Sequence, residues 1–143
     1  MRLLLLDLNV LLDVILERPP NARAAITLWA ALERGEGRGL IPAHGITTIF
    51  YVLEKAKGPT FARRGVEQMI SVFGVAPVDE QVLRAALVYG WPDFEDAVCA
   101  AAAVSADCHA LVSRDPRGYP EPPLPVIDPA AALQWLRQSG RPG

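Results

Sequence analysis

The chain lacks most features of secreted, membrane-spanning or strongly basic proteins. Its 143 residues include only two cysteines, Cys99 and Cys108, and their spacing is not that of a C-x-x-C pair. A disulfide scaffold is therefore not expected, and both thiols are predicted to be reduced. No stretch reaches the roughly 20 uncharged residues that a membrane-spanning helix needs. The net charge of −2 provides no overall basic field to attract nucleic acid.

The N-terminal run MRLLLL has the beginning of a secretory signal but not its continuation. The apolar residues stop at Asp7, and further acids follow without a small-residue cleavage site. The length suits one domain with a sizeable core, and neither an internal repeat nor a linker is visible. We therefore expect a single domain over residues 1–143, located in the cytoplasm and not associated with a membrane.

Strand and helix patterns alternate along the chain. Leu3–Leu6 is a continuous apolar run, typical of a strand buried on both faces of a parallel sheet. The other predicted strands are 40–42, 75–78, 109–113 and 126–127. The predicted helices are 22–33, 44–56, 60–72, 80–89, 94–106 and 129–138. This alternation predicts an α/β three-layer sandwich with a mainly parallel central sheet.

Four aspartates lie where predicted strands end or a predicted helix begins. Asp7 directly follows the first strand, Asp115 follows the strand 109–113, and Asp93 and Asp96 lie on one side of a helical first turn. Since the carboxyl ends of parallel strands meet at one edge, these acids are expected to share a pocket. Four carboxylates repel one another unless cations lie between them, which indicates a Mg²⁺ or Mn²⁺ site.

Each of these acids also has a structural alternative. Asp7 could cap the helical segment that follows it, and Asp93-x-x-Asp96 resembles a capping box. The pair Asp115-Pro116 is a common start of a turn. Three nearby acids are interpreted as solvated groups: Asp13, Glu17 and Glu95.

Several further residues are candidates for supporting roles. Asn9 is two residues after Asp7 and would face the same site on an extended chain, and Ser113 offers a hydroxyl. Arg114 could hold a substrate phosphate. A basic cluster around the break between the second and third predicted helices could do the same, although a solvated charge run is the alternative: Lys55, Lys57, Arg63 and Arg64. Trp91, beside the acidic loop, is interpreted as a packing residue, with stacking on a base as the alternative.

The order and spacing of these motifs resemble those of a PIN domain. The resemblance rests on Asp7-x-Asn9 after the first strand, Asp96 at the start of an Ala-rich helix, and the SRD sequence ending in Asp115. It runs from Leu3 to the final helix, and DFEDAVCAAAAVSADCHALVSRD is similar throughout to one PIN subgroup. Within the family, the chain looks most like the prokaryotic members that include VapC-type toxins.

The resemblance implies a metal-dependent ribonuclease that hydrolyses RNA phosphodiester bonds. The acids corresponding to Asp7, Asp96 and Asp115 would hold Mg²⁺ or Mn²⁺, and another acid usually comes from the second helix. Here that position appears as Thr48, so Asp93 or Glu54 would have to replace it. The resemblance also implies homodimers and a small antitoxin protein as partner.

Two alternatives to a nuclease remain open from the sequence. One is a PIN-like RNA- or protein-binding module with a degenerate, inactive site, which the Thr48 departure favours. The other is a phosphatase of the haloacid dehalogenase class. Those enzymes need a second aspartate two residues after the first, where this chain has Asn9.

Overall fold

The computed structural model describes residues 1–139. Five strands are present: β1 (Leu3–Leu6), β2 (Arg38–Pro42), β3 (Gly74–Ala76), β4 (Ala110–Val112) and β5 (Val126–Ile127). Seven α-helices connect and cover them: α1 (Leu8–Ile15), α2 (Ala22–Glu33), α3 (Ala43–Lys57), α4 (Pro59–Val72), α5 (Glu80–Tyr89), α6 (Phe94–Ser105) and α7 (Pro129–Ser139). A short 3₁₀ turn spans Pro116–Gly118.

The strands form one sheet in the order β3-β2-β1-β4-β5, and every pairing is parallel. The predicted α/β architecture with a parallel sheet is therefore confirmed. The third strand differs from its predicted range, because it starts at Gly74 and ends before Pro77. Proline has no N–H to donate to a ladder, so pairing stops there.

The central strand is buried on both faces, as its four leucines predict. Leu4 and Leu6 pack into a cluster with side chains of α1, α2, α3, α4 and α7. Leu5 points to the opposite face and packs with Cys99 and Ala100 of α6. Because successive strand residues alternate between faces, these two clusters lie on opposite sides of the sheet. The helices that contribute to these clusters make the outer two layers of the sandwich.

The Ala-rich helix α6 places its first turn at the edge where the candidate site lies. Its alanines from Ala97 to Ala103 are buried, and such small side chains let the helix lie close to the sheet. Because α6 leads directly into parallel strand β4, its N-terminus lies at the carboxyl edge of the sheet. The chain order also reverses beside β1, with β2 on one side and β4 on the other. Such a switch point opens a crevice between β1 and β4, at the carboxyl ends of these two strands.

The helices and the two cysteines of residues 1–139 bear on the expectations about membrane spans and disulfides. None of the helices there is long and apolar enough to cross a bilayer. Cys99 is buried, Cys108 is half-buried, and both are free thiols, as predicted from their spacing.

Candidate functional site

A pocket of about 210 Å³ lies at the carboxyl edge of the sheet, where the crevice between β1 and β4 is expected. It is lined by residues from three separate stretches of the chain: Asp7, Asn9, Asp93, Asp96, Ser113, Arg114, Asp115, Gly118 and Tyr119. The structure therefore brings the four predicted acids to one cavity. Register explains part of this, since Leu6 of β1 pairs with Val112 of β4, and the residue after each lines the pocket.

Asp7 is held in place by the sheet and turned toward the pocket. Its backbone N–H donates to the carbonyl of Val112 at 2.9 Å. The side chain is only 5% exposed and makes no capping hydrogen bond to α1, although Asp7 is at the N-cap position. Instead, the Tyr119 hydroxyl donates to Asp7 Oδ2 at 3.1 Å. Burial raises the pKa of Asp7, and this hydrogen bond opposes the rise.

Asp93 and Asp96 divide two tasks at the start of α6. Asp93 Oδ1 accepts a hydrogen bond from the Asp96 N–H at 3.1 Å, so Asp93 caps the helix as its structural alternative predicts, and it lines the pocket as well. Asp96 is half-buried. Its burial, followed by the negative charges of Asp93 and Asp7, raises the pKa of Asp96 to about 6. Ionised Asp96 is therefore repelled by Asp93 and Asp7.

Asp115 is placed by the end of β4. Ser113 is buried, and its Oγ accepts a hydrogen bond from the Asp115 N–H at 3.1 Å. This bond turns the chain into the 3₁₀ turn, and it leaves the Asp115 side chain exposed at the pocket. Asp115 thus begins a turn and also lines the pocket.

The donors in the pocket fit a hard divalent cation. All polar lining side chains other than Arg114 offer oxygen, and carboxylate-rich oxygen sites suit Mg²⁺ and Mn²⁺. Burial raises the pKa of Asp7, and burial followed by neighbouring negative charges raises the pKa of Asp96, so a cation beside them would stabilise their ionised forms. Within residues 1–139, no three His, Cys, Asp or Glu side chains converge closely enough to form a ready cage. The cavity has room for an ion with several waters, each of which takes about 30 Å³.

Other predicted candidates lie outside this pocket. Thr48 and Glu54 are both exposed on α3, and neither contributes to the lining. The basic cluster lies outside it too: Lys55 and Lys57 sit over the rings of Tyr51 and Phe61, and Arg64 lines a different groove. Trp91 is a packing residue here, since it stacks on Tyr89 with ring centroids 5.2 Å apart and meets Tyr119 edge-on.

The interpretation of Asp13 as a solvated residue is wrong. Its side chain is fully buried on α1, and its Oδ1 accepts hydrogen bonds from Arg18 Nε at 2.9 Å and Arg114 Nη1 at 3.0 Å. Most of α1 is covered by neighbouring elements, so an acid on it is buried and needs cationic partners. Nothing in the sequence near Asp13 indicates Arg114, which is 101 positions away.

Tyr119 was not among the predicted site residues. It lies in the Pro-rich loop after the 3₁₀ turn, and it is buried with its hydroxyl on Asp7. An aromatic residue in such a loop is a weak signal, because packing against the sheet is the common explanation. Its site role depends on a hydroxyl contact across 112 positions.

Comparisons with known proteins give a matching family model and similar solved structures. A family model described as a PIN domain matches residues 3–117. Among solved structures, VapC20 of Mycobacterium tuberculosis, described as a toxin that cleaves the sarcin-ricin loop, is 15% identical with a TM-score of 0.63; the match covers 76% of this chain and 86% of that one. DNA-bound VapBC from Salmonella typhimurium is 25% identical with a TM-score of 0.66, covering 90% and 99%.

A third solved structure is VapBC2 from Rickettsia felis, bound to a DNA fragment from its promoter. It is 13% identical with a TM-score of 0.68, and the match covers 88% of this chain and 97% of that one. A search of curated proteins by sequence gives no significant match. At these low identities, the likeness to solved structures concerns the fold.

Proposed function

Because this chain belongs to the PIN-domain family, we propose that it is a metal-dependent endoribonuclease that hydrolyses RNA phosphodiester bonds. One observation carries the proposal: four aspartates from three distant stretches line a single pocket at the carboxyl edge of the sheet. A cluster of this kind costs free energy unless a cation offsets the repulsion. The presence of four carboxylates in one pocket is best explained by a bound divalent ion.

Asp7, Asp93, Asp96 and Asp115 are the residues that would hold the ion. Mg²⁺ or Mn²⁺ in this position would supply Lewis acidity and a water of lowered pKa for attack on phosphorus. Ser113 fixes the backbone of Asp115, and Tyr119 fixes the carboxylate of Asp7. Such contacts around a ligand commonly set metal affinity.

The pocket opens to solvent on one side. The side chains of Asp93 and Asp115 are exposed, while Asp7 lies at the buried end. Arg114 is the cationic member of the lining and is suited to a substrate phosphate, because a guanidinium matches phosphate geometry. The family, and the description of the similar mycobacterial toxin as one that cleaves the sarcin-ricin loop, support RNA as the substrate.

The test is cleavage of a labelled, mixed-sequence single-stranded RNA with Mg²⁺, with Mn²⁺, or with EDTA. We expect cleavage only with a metal ion. Asp7→Asn should reduce the rate by more than about a hundredfold, since loss of an outer-shell partner alone costs roughly 10–100-fold. The matched control is Asp79→Asn: Asp79 caps α5 through the Val82 N–H at 3.0 Å and lies outside the pocket. Undiminished metal-dependent cleavage by Asp7→Asn would refute the assignment.

A binding module without activity is the second candidate function. It is favoured by one observation, namely that α3 contributes no acid to the pocket lining. A titration with Mn²⁺ separates the two candidates. Retained RNA binding without cleavage at saturating Mn²⁺ would identify the binding module, and cleavage that rises with Mn²⁺ occupancy supports the nuclease.

We also propose a small antitoxin protein as partner, together with a homodimer, as in the toxin group that the chain resembles. The similar solved structures include VapBC assemblies on DNA. A groove of about 550 Å³ between α1, α2 and α4 has apolar walls that include Ile15, Ile26 and Phe61. Grooves of this type receive amphipathic segments of partners. The test is whether the product of an adjacent small gene copurifies with the chain and inhibits RNA cleavage, with light scattering to give the oligomeric state.

A further inference from the structure

The buried carboxylate of Asp13 lies outside the acidic pocket yet is linked to it. Its Oδ1 bridges two guanidinium groups, Arg18 Nε at 2.9 Å and Arg114 Nη1 at 3.0 Å. Arg18 comes from the segment after α1, and Arg114 follows β4. Asp13 thus ties the helix that follows β1 to the loop that follows β4, and these two segments flank the pocket.

Arg114 lines the pocket but forms its salt bridge with an acid outside the lining. It lines a cavity with four aspartates, where a flexible arginine would be drawn onto those carboxylates. Within residues 1–139, however, its salt bridge is to Asp13, outside the lining, and not to any of the four. The Arg114 side chain is still 36% exposed. A guanidinium has five N–H donors, so one bond to Asp13 leaves donors for a ligand in the pocket.

The hydrogen bonding of the Asp13 carboxylate is incomplete. Its Oδ2 is buried and has no hydrogen-bond partner among the described residues. Burying an incompletely satisfied carboxylate is costly, and an apolar residue is often at least as stabilising in such a position. The free-energy cost of burying Asp13 is explained if its role is to orient the Arg114 guanidinium.

From this geometry we propose that Asp13 is a positioning residue, which holds the Arg114 guanidinium at the mouth of the pocket to receive the phosphate of the RNA strand next to the scissile bond. The inference rests on the proposed ribonuclease function. Asp13 does not contact the substrate. Arg18, which also reaches the Asn9 carbonyl at 3.4 Å, fixes Asp13 from the other side.

The first test uses variants of Arg114, which is partly exposed and whose replacement leaves Arg18 as a cationic partner of Asp13. Binding of a fluorescent single-stranded RNA is followed by anisotropy in Ca²⁺, which takes the same oxygen ligands as Mg²⁺. Arg114→Gln should weaken binding about tenfold and reduce the slope of log Kd against log salt by about 0.7, the value for one phosphate contact on a single strand. In Mn²⁺, it should raise KM more than it lowers kcat.

Arg34→Gln is the matched control for the loss of one charge. Arg34 pairs with exposed Glu36 just before β2, at the opposite edge of the sheet from the pocket. We expect unchanged RNA affinity and an unchanged salt slope for this variant. Arg114→Lys keeps the charge but lacks the planar fork that Asp13 orients, and it should bind RNA more weakly than the unaltered protein.

Asp13→Asn tests the positioning role itself. It should reproduce the KM increase and the smaller salt slope of Arg114→Gln, although every positive charge is retained. In the double variant, Asp13→Asn should add nothing to the effect of Arg114→Gln. A purely structural Asp13 would lower the melting temperature and leave KM and salt slope unchanged. If Asp13→Asn does not fold, Arg114→Lys decides: affinity equal to that of the unaltered protein overturns the proposal.

The outcomes separate this inference from the proposed function. If the unaltered chain cleaves RNA with Mn²⁺ but the Arg114 variants keep its KM and salt slope, the positioning role is wrong and the nuclease stands. If the unaltered chain neither binds nor cleaves RNA with Mg²⁺ or Mn²⁺, both proposals fall.

Discussion

The carboxylates of the pocket differ in what surrounds them, and each difference has a measurable consequence. Asp7 is buried with one hydroxyl partner, Asp96 is half-buried near three other carboxylates, and Asp115 is exposed. Protonation relieves repulsion in such a cluster, and a metal ion does the same by holding the carboxylates ionised. Protons and metal ions are therefore expected to compete for these residues.

The pKa of Asp96 predicts the direction of this competition. In the folded protein it is about 6, against 3.8 for an unperturbed aspartate. Between these two values the folded state binds more protons than the unfolded state, so the metal-free protein loses stability as pH rises through this window. The metal-bound form is expected to show the opposite trend, because metal affinity should fall as pH drops below about 6.

Melting temperatures in EDTA, taken from about pH 4 to about pH 7, test this prediction. The difference between the unaltered protein and Asp96→Asn should grow with pH in favour of the variant, since asparagine does not ionise. Added Mn²⁺ should stabilise the unaltered protein and have little effect on the variant. A difference in melting temperature that stays constant with pH would contradict the raised pKa.

Tyr119→Phe tests the hydroxyl on Asp7. The hydrogen bond from Tyr119 lowers the pKa of Asp7 against the effect of burial, so its loss should raise that pKa further. We expect Mn²⁺ affinity, measured by calorimetry at neutral pH, to fall by roughly 10–100-fold, and the loss to shrink at higher pH. Tyr89→Phe is the control, because it makes the same change in a ring that stacks on Trp91 outside the lining. Equal affinities for Tyr119→Phe and the unaltered protein would rule out this role.

At the scale of secondary structure, helix α6 joins two functions at its first turn. Asp93 accepts the hydrogen bond that caps the helix, and it also lines the pocket. A carboxylate at a helix N-terminus is stabilised by the unpaired N–H groups there. At the beginning of a helix, a negative charge can therefore lie near other acids at a lower cost in free energy.

Paired substitutions separate the cap from the site. Asp93→Asn and Asp93→Ala remove the same charge, but only asparagine keeps a capping oxygen, so Asp93→Ala should be about 1 kcal/mol less stable than Asp93→Asn. Both should weaken Mn²⁺ binding, because both remove the charge. The same two changes at Asp79, the cap of α5, should show the stability pattern without any change in Mn²⁺ affinity. If Asp93→Asn binds Mn²⁺ as tightly as the unaltered protein, Asp93 is a cap alone.

At the scale of the whole molecule, the sheet separates two apolar clusters, and both are needed to hold the pocket. Leu4 faces the cluster with α1 to α4 and α7, and Leu5 faces the cluster with α6. The first cluster positions the helix that carries Asp13, and the second positions the helix that carries Asp96. The crevice exists because the sheet is packed on both sides and its chain order reverses beside β1.

Truncation of the central strand should therefore be costly on either face. Leu4→Ala and Leu5→Ala are each expected to lower the free energy of unfolding by about 2–5 kcal/mol, because both side chains are fully buried. Val88→Ala, at a side chain that is 84% exposed, should change it by less than about 0.5 kcal/mol. Urea denaturation measures all three. A low cost at one leucine would show that the cluster on that face contributes little.

Much of this protein was decided locally and could be inferred from the sequence. Four leucines before Asp7 predict a strand buried on both faces, with an acid at its carboxyl end. Asp93-x-x-Asp96 ahead of alanines predicts a helix start, and the alternation of elements predicts a parallel sheet. These inferences hold because burial on one face repeats with the period of a strand or helix, and neighbouring residues reveal that period.

The partners of individual side chains were decided only by the tertiary structure. The Asp13–Arg114 pair and the Tyr119–Asp7 hydrogen bond join residues more than a hundred positions apart. Both depend on which strands are neighbours in the sheet, and local periodicity contains no information about strand order. The exclusion of Thr48 and Glu54 from the lining depends on how α3 is packed, for the same reason. The sequence by itself thus determined the acids and the strand and helix ends that carry them, while the packing of distant segments decided what each acid contacts.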